Sequence, residues 1–93
     1  MDSSRVYVLN SGVQVRREKF GLLFYNYHGL RLYFVPIGDL IDSDFFDGTQ
    51  TVGSLVDALH IRKNRTKQWI HARIERILQQ ITEKGLIHGE SIC

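Results

Sequence analysis

The hydrophobic period of this 93-residue chain changes near residue 36, and that change decides what the chain can fold into. Before it, Val13 and Val15 alternate with Gln14 and Arg16, the period of two that sets one face of a strand on a core. Residues 21–27 (GLLFYNY) are rich in aromatics and run into His28-Gly29, a tight turn in which Gly29 is expected to take positive φ. Residues 30–35 (LRLYFV) read as a third strand, and short connections make an antiparallel meander the simplest topology. Val6, Tyr7, Val8 and Leu9 can add a fourth short strand before Asn10-Ser11-Gly12.

After Pro36 the spacing turns helical. Pro36 suits the first turn of a helix, where its missing N–H costs nothing, and Ile37, Leu40, Ile41 and Phe45 fall on one side of a helix predicted to stop at Asp47-Gly48. Thr51 can N-cap a second helix, with Val52, Leu55, Val56 and Leu59 on its apolar face. A polar break, Arg62-Lys63-Asn64-Arg65, precedes a third helix capped by Asn64 or Thr66 and running to about Lys84, with Gly85 at its stop. Ile70, Ile74, Ile77 and Ile81, joined by Leu78, form its buried stripe. The expected fold is therefore α+β and winged helix-turn-helix-like, a three-stranded antiparallel sheet followed by three helices, in one domain over residues 1–93. Helices must cover one face of the sheet, because three strands alone are marginal in water.

Composition narrows the class of function. A hydrophobic share of 43% and a charged share of 24% describe a globular chain. At this length it buries roughly 60–65% of its unfolded surface, which leaves little room for an enclosed active site with a cofactor pocket. A binding module is expected, not an enzyme, with no cofactor and no metal. The single cysteine, Cys93, excludes an internal disulfide framework and a thiolate cage. His28, His60, His71 and His88 offer no helical metal-binding pair. The run DSDFFDG at residues 42–48 fails as a calcium loop, since Phe45-Phe46 displaces a carboxylate and Gly53 stands where the bidentate Glu belongs. No apolar run approaches the ~20 residues of a membrane span, and residues 1–6 lead into no apolar h-region, so a reduced, cytoplasmic protein is the expectation.

Charge is segregated along the chain. Residues 1–35 carry five cations and two anions, residues 36–61 five aspartates and no cation, and residues 62–93 seven cations and three anions. A surface joining the two ends would be electropositive. The third predicted helix carries Trp69, Arg73, Arg76 and Gln80 at i, i+4, i+7 and i+11, a second stripe beside the isoleucines. A tryptophan followed by two arginines supplies contact area and forked carboxylate recognition, as a groove wall requires; packing of Trp69 against the sheet is the alternative. The last strand of the meander (Leu30, Arg31, Leu32, Tyr33, Phe34 and Val35) is an edge with one charge and no internal proline. Arg31, Tyr33 and Val35 share one of its faces. Such an edge is a hazard unless it is covered or used, and its use is β-augmentation by an extended peptide. Residues 1–9 or a second copy of the chain, as a homodimer, are the other ways to cover it.

A reading from a different class is a DNA-binding helix-turn-helix, with Arg62, Lys63, Arg65 and Lys67 on phosphates. Against it, Trp69 and Ile70 crowd the position where base contacts begin, and a net charge of +2 is low for a duplex binder.

Several strings resemble one family. Val15-Arg16-Arg17-Glu18-Lys19-Phe20-Gly21, followed by Leu22, Leu23, Phe24 and Tyr25, is similar to the front half of the MftB peptide chaperones of mycofactocin biosynthesis. Residues 46–59 (FDGTQTVGSLVDAL) and 77–87 (ILQQITEKGLI) resemble the Asp-Gly-x-x-Thr-Val stretch and the closing helix of the wider PqqD-like family. The chain departs from the pattern at Arg17, where MftB-like sequences usually have proline. The resemblance implies a RiPP recognition element that binds the leader of a precursor peptide and presents it to a modifying enzyme, commonly a radical SAM maturase. In that family the leader pairs as an added strand on the third strand, against the third helix. The implied contacts are Leu30, Arg31, Leu32, Tyr33, Phe34 and Val35 for main-chain pairing, and Trp69, Arg73, Arg76 and Gln80 for the wall.

Overall fold

The computed structural model describes residues 4–91, so Cys93 lies outside the described residues. Five strands and two α-helices follow in the order Arg5–Leu9 (β1), Val13–Glu18 (β2), Gly21–Asn26 (β3), Arg31–Val35 (β4), Val52–Lys63 (α1), Lys67–Glu83 (α2) and Ile87–Ser91 (β5). The fold is α+β with antiparallel pairing throughout.

β2, β3 and β4 form the predicted meander, with Val15 opposite Phe24, Phe24 opposite Tyr33, and Leu22 opposite Val35. Alternation fixes its two faces. Val13, Leu22, Phe24 and Val35 point inward and are buried, whereas Gln14, Arg16, Leu32 and Phe34 point outward and are exposed. The inward face packs on Ile70, Ile74, Leu78 and Ile81 of α2 and on Val52, Leu55, Val56 and Leu59 of α1 in one apolar cluster. Full burial of each such side chain is worth ~1.5–3 kcal/mol. Phe24 meets Phe46 edge to face, ring centroids 5.5 Å apart, which adds shape to the burial.

The structure corrects the predicted plan of one sheet followed by three helices. The helix expected over Ile37, Leu40, Ile41 and Phe45 does not form. Gly38 sits at φ 59° and Asp42 is extended at φ −89°, ψ 157°, so the chain bends twice before it makes a single 3-10 turn, Ser43–Phe46. The Asp42 carboxylate accepts the Ser43 N–H at 2.8 Å and caps that turn. The apolar residues are nonetheless buried: Ile41, Phe45 and Phe46 reach the core from a loop.

The second correction concerns β1. It pairs with β5, Val8 opposite His88 and Leu9 opposite Ile87, in a separate two-stranded sheet. Residues 5–9 therefore neither join the meander nor cover the edge of β4.

The helix boundaries follow from side-chain caps. Thr51 Oγ1 accepts the Ser54 N–H and Thr66 Oγ1 accepts the Trp69 N–H, each at 3.1 Å. Asn64, at φ 55°, closes α1 and leaves the N-cap of α2 to Thr66. Gly85, at φ 76°, lets the chain reverse into β5.

Candidate functional site

Among the described residues β4 has β3 on one side and no strand on the other, which leaves it an outer edge for pairing. Within it, Val35 is buried, Tyr33 is half-buried on the same face, and Arg31 at the start of that face is exposed. Leu32 and Phe34 point to the opposite, outward face. Leu30 falls outside the strand. It occupies the turn at φ 51°, the left-handed conformation that the sequence suggests for Gly29. Asn26 explains the shift, because its Oδ1 accepts the N–H groups of His28 (3.0 Å) and Gly29 (3.3 Å) and builds the turn one residue later.

On α2, Trp69 is 46% exposed and is not tucked against the sheet. The guanidiniums of Arg65 and Arg73 lie 4.9 and 6.0 Å from its ring centroid. Trp69, Ala72, Arg73 and Arg76 line an open depression of about 300 Å³. Gln80 is exposed further along the helix and does not line that depression. Arg65, expected on phosphate only in the DNA-binding alternative, is the contact absent from the predicted wall, although its i−4 spacing to Trp69 is the signal for it.

Leu30, Arg31 and Leu32 line a second depression of about 200 Å³ with Tyr25, Asn26 and Tyr27. The two sets of predicted residues are thus gathered into two places. What links helix and strand is the far end of α2, where Lys84 Nζ stands 5.3 Å from the Tyr33 ring centroid. Lys84 follows Trp69 by fifteen residues, about 22 Å along the helix axis. Five paired residues of β4 span about 17 Å, a similar length.

The cations proposed for phosphate contact are otherwise engaged. Lys63 pairs with the Asp39 carboxylate at 2.7 Å, Arg62 donates to the Asp39 carbonyl at 3.1 Å, and Lys67 pairs with Asp57 at 3.1 Å. The Lys63 hydrogen bond is the main reason the Asp39 carboxyl is held below the usual carboxylate range. Arg65 is turned onto Trp69, and its carbonyl accepts from His60 Nδ1 at 2.5 Å. Among the described residues no group of three or more His, Cys, Asp or Glu is arranged to hold a metal ion, and no helix is long and apolar enough to cross a membrane.

An antiparallel meander with an open edge strand, packed on a helix with a basic outer face, defines a small α+β domain suited to binding extended chains. The family model described as the peptide chaperone MftB family matches residues 6–88, and the chain belongs to that family. That description makes the family one of peptide chaperones. No curated protein and no solved structure matches the chain.

Proposed function

We propose that this protein binds the leader segment of a RiPP precursor peptide as an added strand on β4 and delivers it to a modifying enzyme, such as a radical SAM maturase, in the cytoplasm. The observation that carries the reading is the unpaired outer edge of β4, in a chain whose family is a peptide chaperone. Main-chain hydrogen bonds to residues 31–35 would supply affinity and side-chain pockets would set register. Arg73 and Arg76 would pair with leader carboxylates, Trp69 would form the apolar wall, and Tyr33 would pack beneath the added strand. Gln80 would contact the leader's far end.

Binding raises the local concentration of the core peptide at the enzyme and leaves that core free for chemistry. One added strand with a few anchors corresponds to on the order of −8 to −10 kcal/mol, submicromolar to micromolar. Trp69 is the only tryptophan in the chain, so its fluorescence reports on the helix wall directly. Titration with synthetic leader peptides, taken from short reading frames beside the gene, should change that emission saturably. Arg73→Glu should weaken the binding more than tenfold through like-charge repulsion. Unchanged affinity would remove Arg73 from the wall. A peptide that binds with all shifts away from β4 would remove the strand-addition mode.

A further inference from the structure

Among the described residues, no helix or strand packs over the outward face of the meander. Leu32, 64% exposed, and Phe34 stand there beside half-buried Leu23 and Tyr25, and Tyr27 continues the surface. Tyr25 and Tyr27 stack with ring centroids 6.4 Å apart. At the end of the face, Leu30 is 89% exposed while holding φ 51°. A bulky residue in that conformation carries backbone strain, and its exposed side chain recovers little by burial. Contiguous apolar surface of this kind marks an interaction site on soluble domains.

The face is distinct from the proposed peptide groove. A strand added to β4 extends the sheet in its own plane, and alternation keeps Leu32 and Phe34 pointing out of that plane. The bound leader would therefore lie along one border of the face and leave it open.

Charge selects the occupant. Arg16 and Lys19 flank the face, and Arg31, although it belongs to the opposite face of β4, lines the depression at its end with Tyr27 and Leu32; the one carboxylate nearby, Glu18, is already engaged by Arg16 at 2.8 Å. Lys19 stands 5.3 Å from the Phe20 ring centroid, and neither Lys19 nor Arg31 makes an ion pair among the described residues. A second copy of this chain would oppose like charge to like charge, which disfavours the match. We propose that this face docks the enzyme that modifies the bound peptide, through an enzyme surface apolar at its centre and acidic at its rim. The inference rests on the peptide-delivery reading above and assigns the enzyme a surface separate from the leader's.

The test measures two affinities on each variant: one for a synthetic leader, and one for the purified radical SAM maturase encoded nearest the gene. Tyr27→Glu and Leu23→Glu, two independent variants outside the groove, should each weaken maturase binding at least tenfold and leave leader binding within about twofold. Arg73→Glu should weaken leader binding and spare the maturase. Unchanged maturase affinity in both face variants would overturn the docking face, as would a parallel loss of leader affinity. A wild-type dimer that Tyr27→Glu separates would overturn it in favour of a second copy. Maturase binding lost in both variants, while the wild type binds no leader, would support the docking face and sink the peptide groove instead.

Discussion

The carbonyl oxygen of Val35 lies so close to Gly21 that a Cβ at position 21 would sit 1.9 Å from it. The same Cβ would also come 3.0 Å from the Ile37 nitrogen. Gly21 is buried at the start of β3, and the Phe20 carbonyl beside it accepts the Gly38 N–H at 2.9 Å. The end of β4 is thus seated on a backbone position that only glycine can occupy, which accounts physically for the Phe-Gly pair in the sequence.

Gly21→Ala should therefore destabilise the fold by more than about 2 kcal/mol, since the clash is with backbone that cannot rotate away. Chemical denaturation checks the stability, and leader titration should show weaker binding as the end of β4 shifts. A change below about 0.5 kcal/mol would mean that the two strands are further apart than described.

Leu30 offers the opposite case. Replacing it with Gly or Asn should raise stability by about 1 kcal/mol, because the left-handed conformation is costly for leucine and little burial is lost. The same variant should weaken enzyme docking if the outward face is used as inferred. Thermal unfolding and binding measured on one sample separate the two effects.

His71 is a mostly buried side chain on α2 whose two ring nitrogens have no hydrogen-bond partner among the described residues; the nearest acid, Glu75, is 4.0 Å away. His71→Leu removes the unpaired polar atoms and improves helix propensity, so a gain of roughly 1 kcal/mol is expected. A loss of stability would show that His71 has a partner in solution.

The Asp39–Lys63 pair ties the loop after β4 to the end of α1. The Lys63 hydrogen bond, partly opposed by desolvation and aided by the charges of Lys63 and Arg62, lowers the Asp39 pKa. A carboxyl depressed in the folded state contributes stability that is present above its unfolded pKa and lost as pH falls through the folded one. Asp39→Asn should accordingly be less stable than wild type at neutral pH, and the difference should shrink as pH falls below the normal carboxylate range. Exposure keeps the effect small. A difference that stayed constant with pH would contradict the assignment.

Much of this architecture is legible in the sequence where local signals agree. The stripe Ile70, Ile74, Ile77 and Ile81, the cap at Thr51, and the alternation through Val13 and Val15 each identify their element, because periodicity and capping point the same way; for α2 the sequence offers both Asn64 and Thr66, and the structure takes Thr66. Residues 37–45 mislead, since Ile37, Leu40, Ile41 and Phe45 have helical spacing while Gly38 breaks the backbone. Burial is visible there and conformation is not. β5 escapes notice because only Ile87 of its five residues is buried; its strand character comes from main-chain pairing with β1. For the site, the edge position of β4 follows from the meander topology, whereas the sequence leaves Trp69 between exposure and packing on the sheet, and the structure decides for exposure. The stacking of Arg65 on Trp69, the reach of Lys84 to Tyr33 and the apolar outward face depend on tertiary placement. In the sequence, Leu32 and Phe34 stand out only as main-chain pairing positions; their exposure on the outward face is a tertiary property.

Whether β4 takes the leader as an added strand can be read from the amide shifts of isotopically labelled protein, titrated with leader peptide and with a random duplex oligonucleotide as control. Strand addition should give saturable shifts clustered on Arg31, Leu32, Tyr33, Phe34 and Val35 and along α2 from Trp69 to Gln80, with no ordered response to the duplex. Silence at β4 with every peptide, together with shifts confined to residues 62–73 on adding DNA, would contradict it.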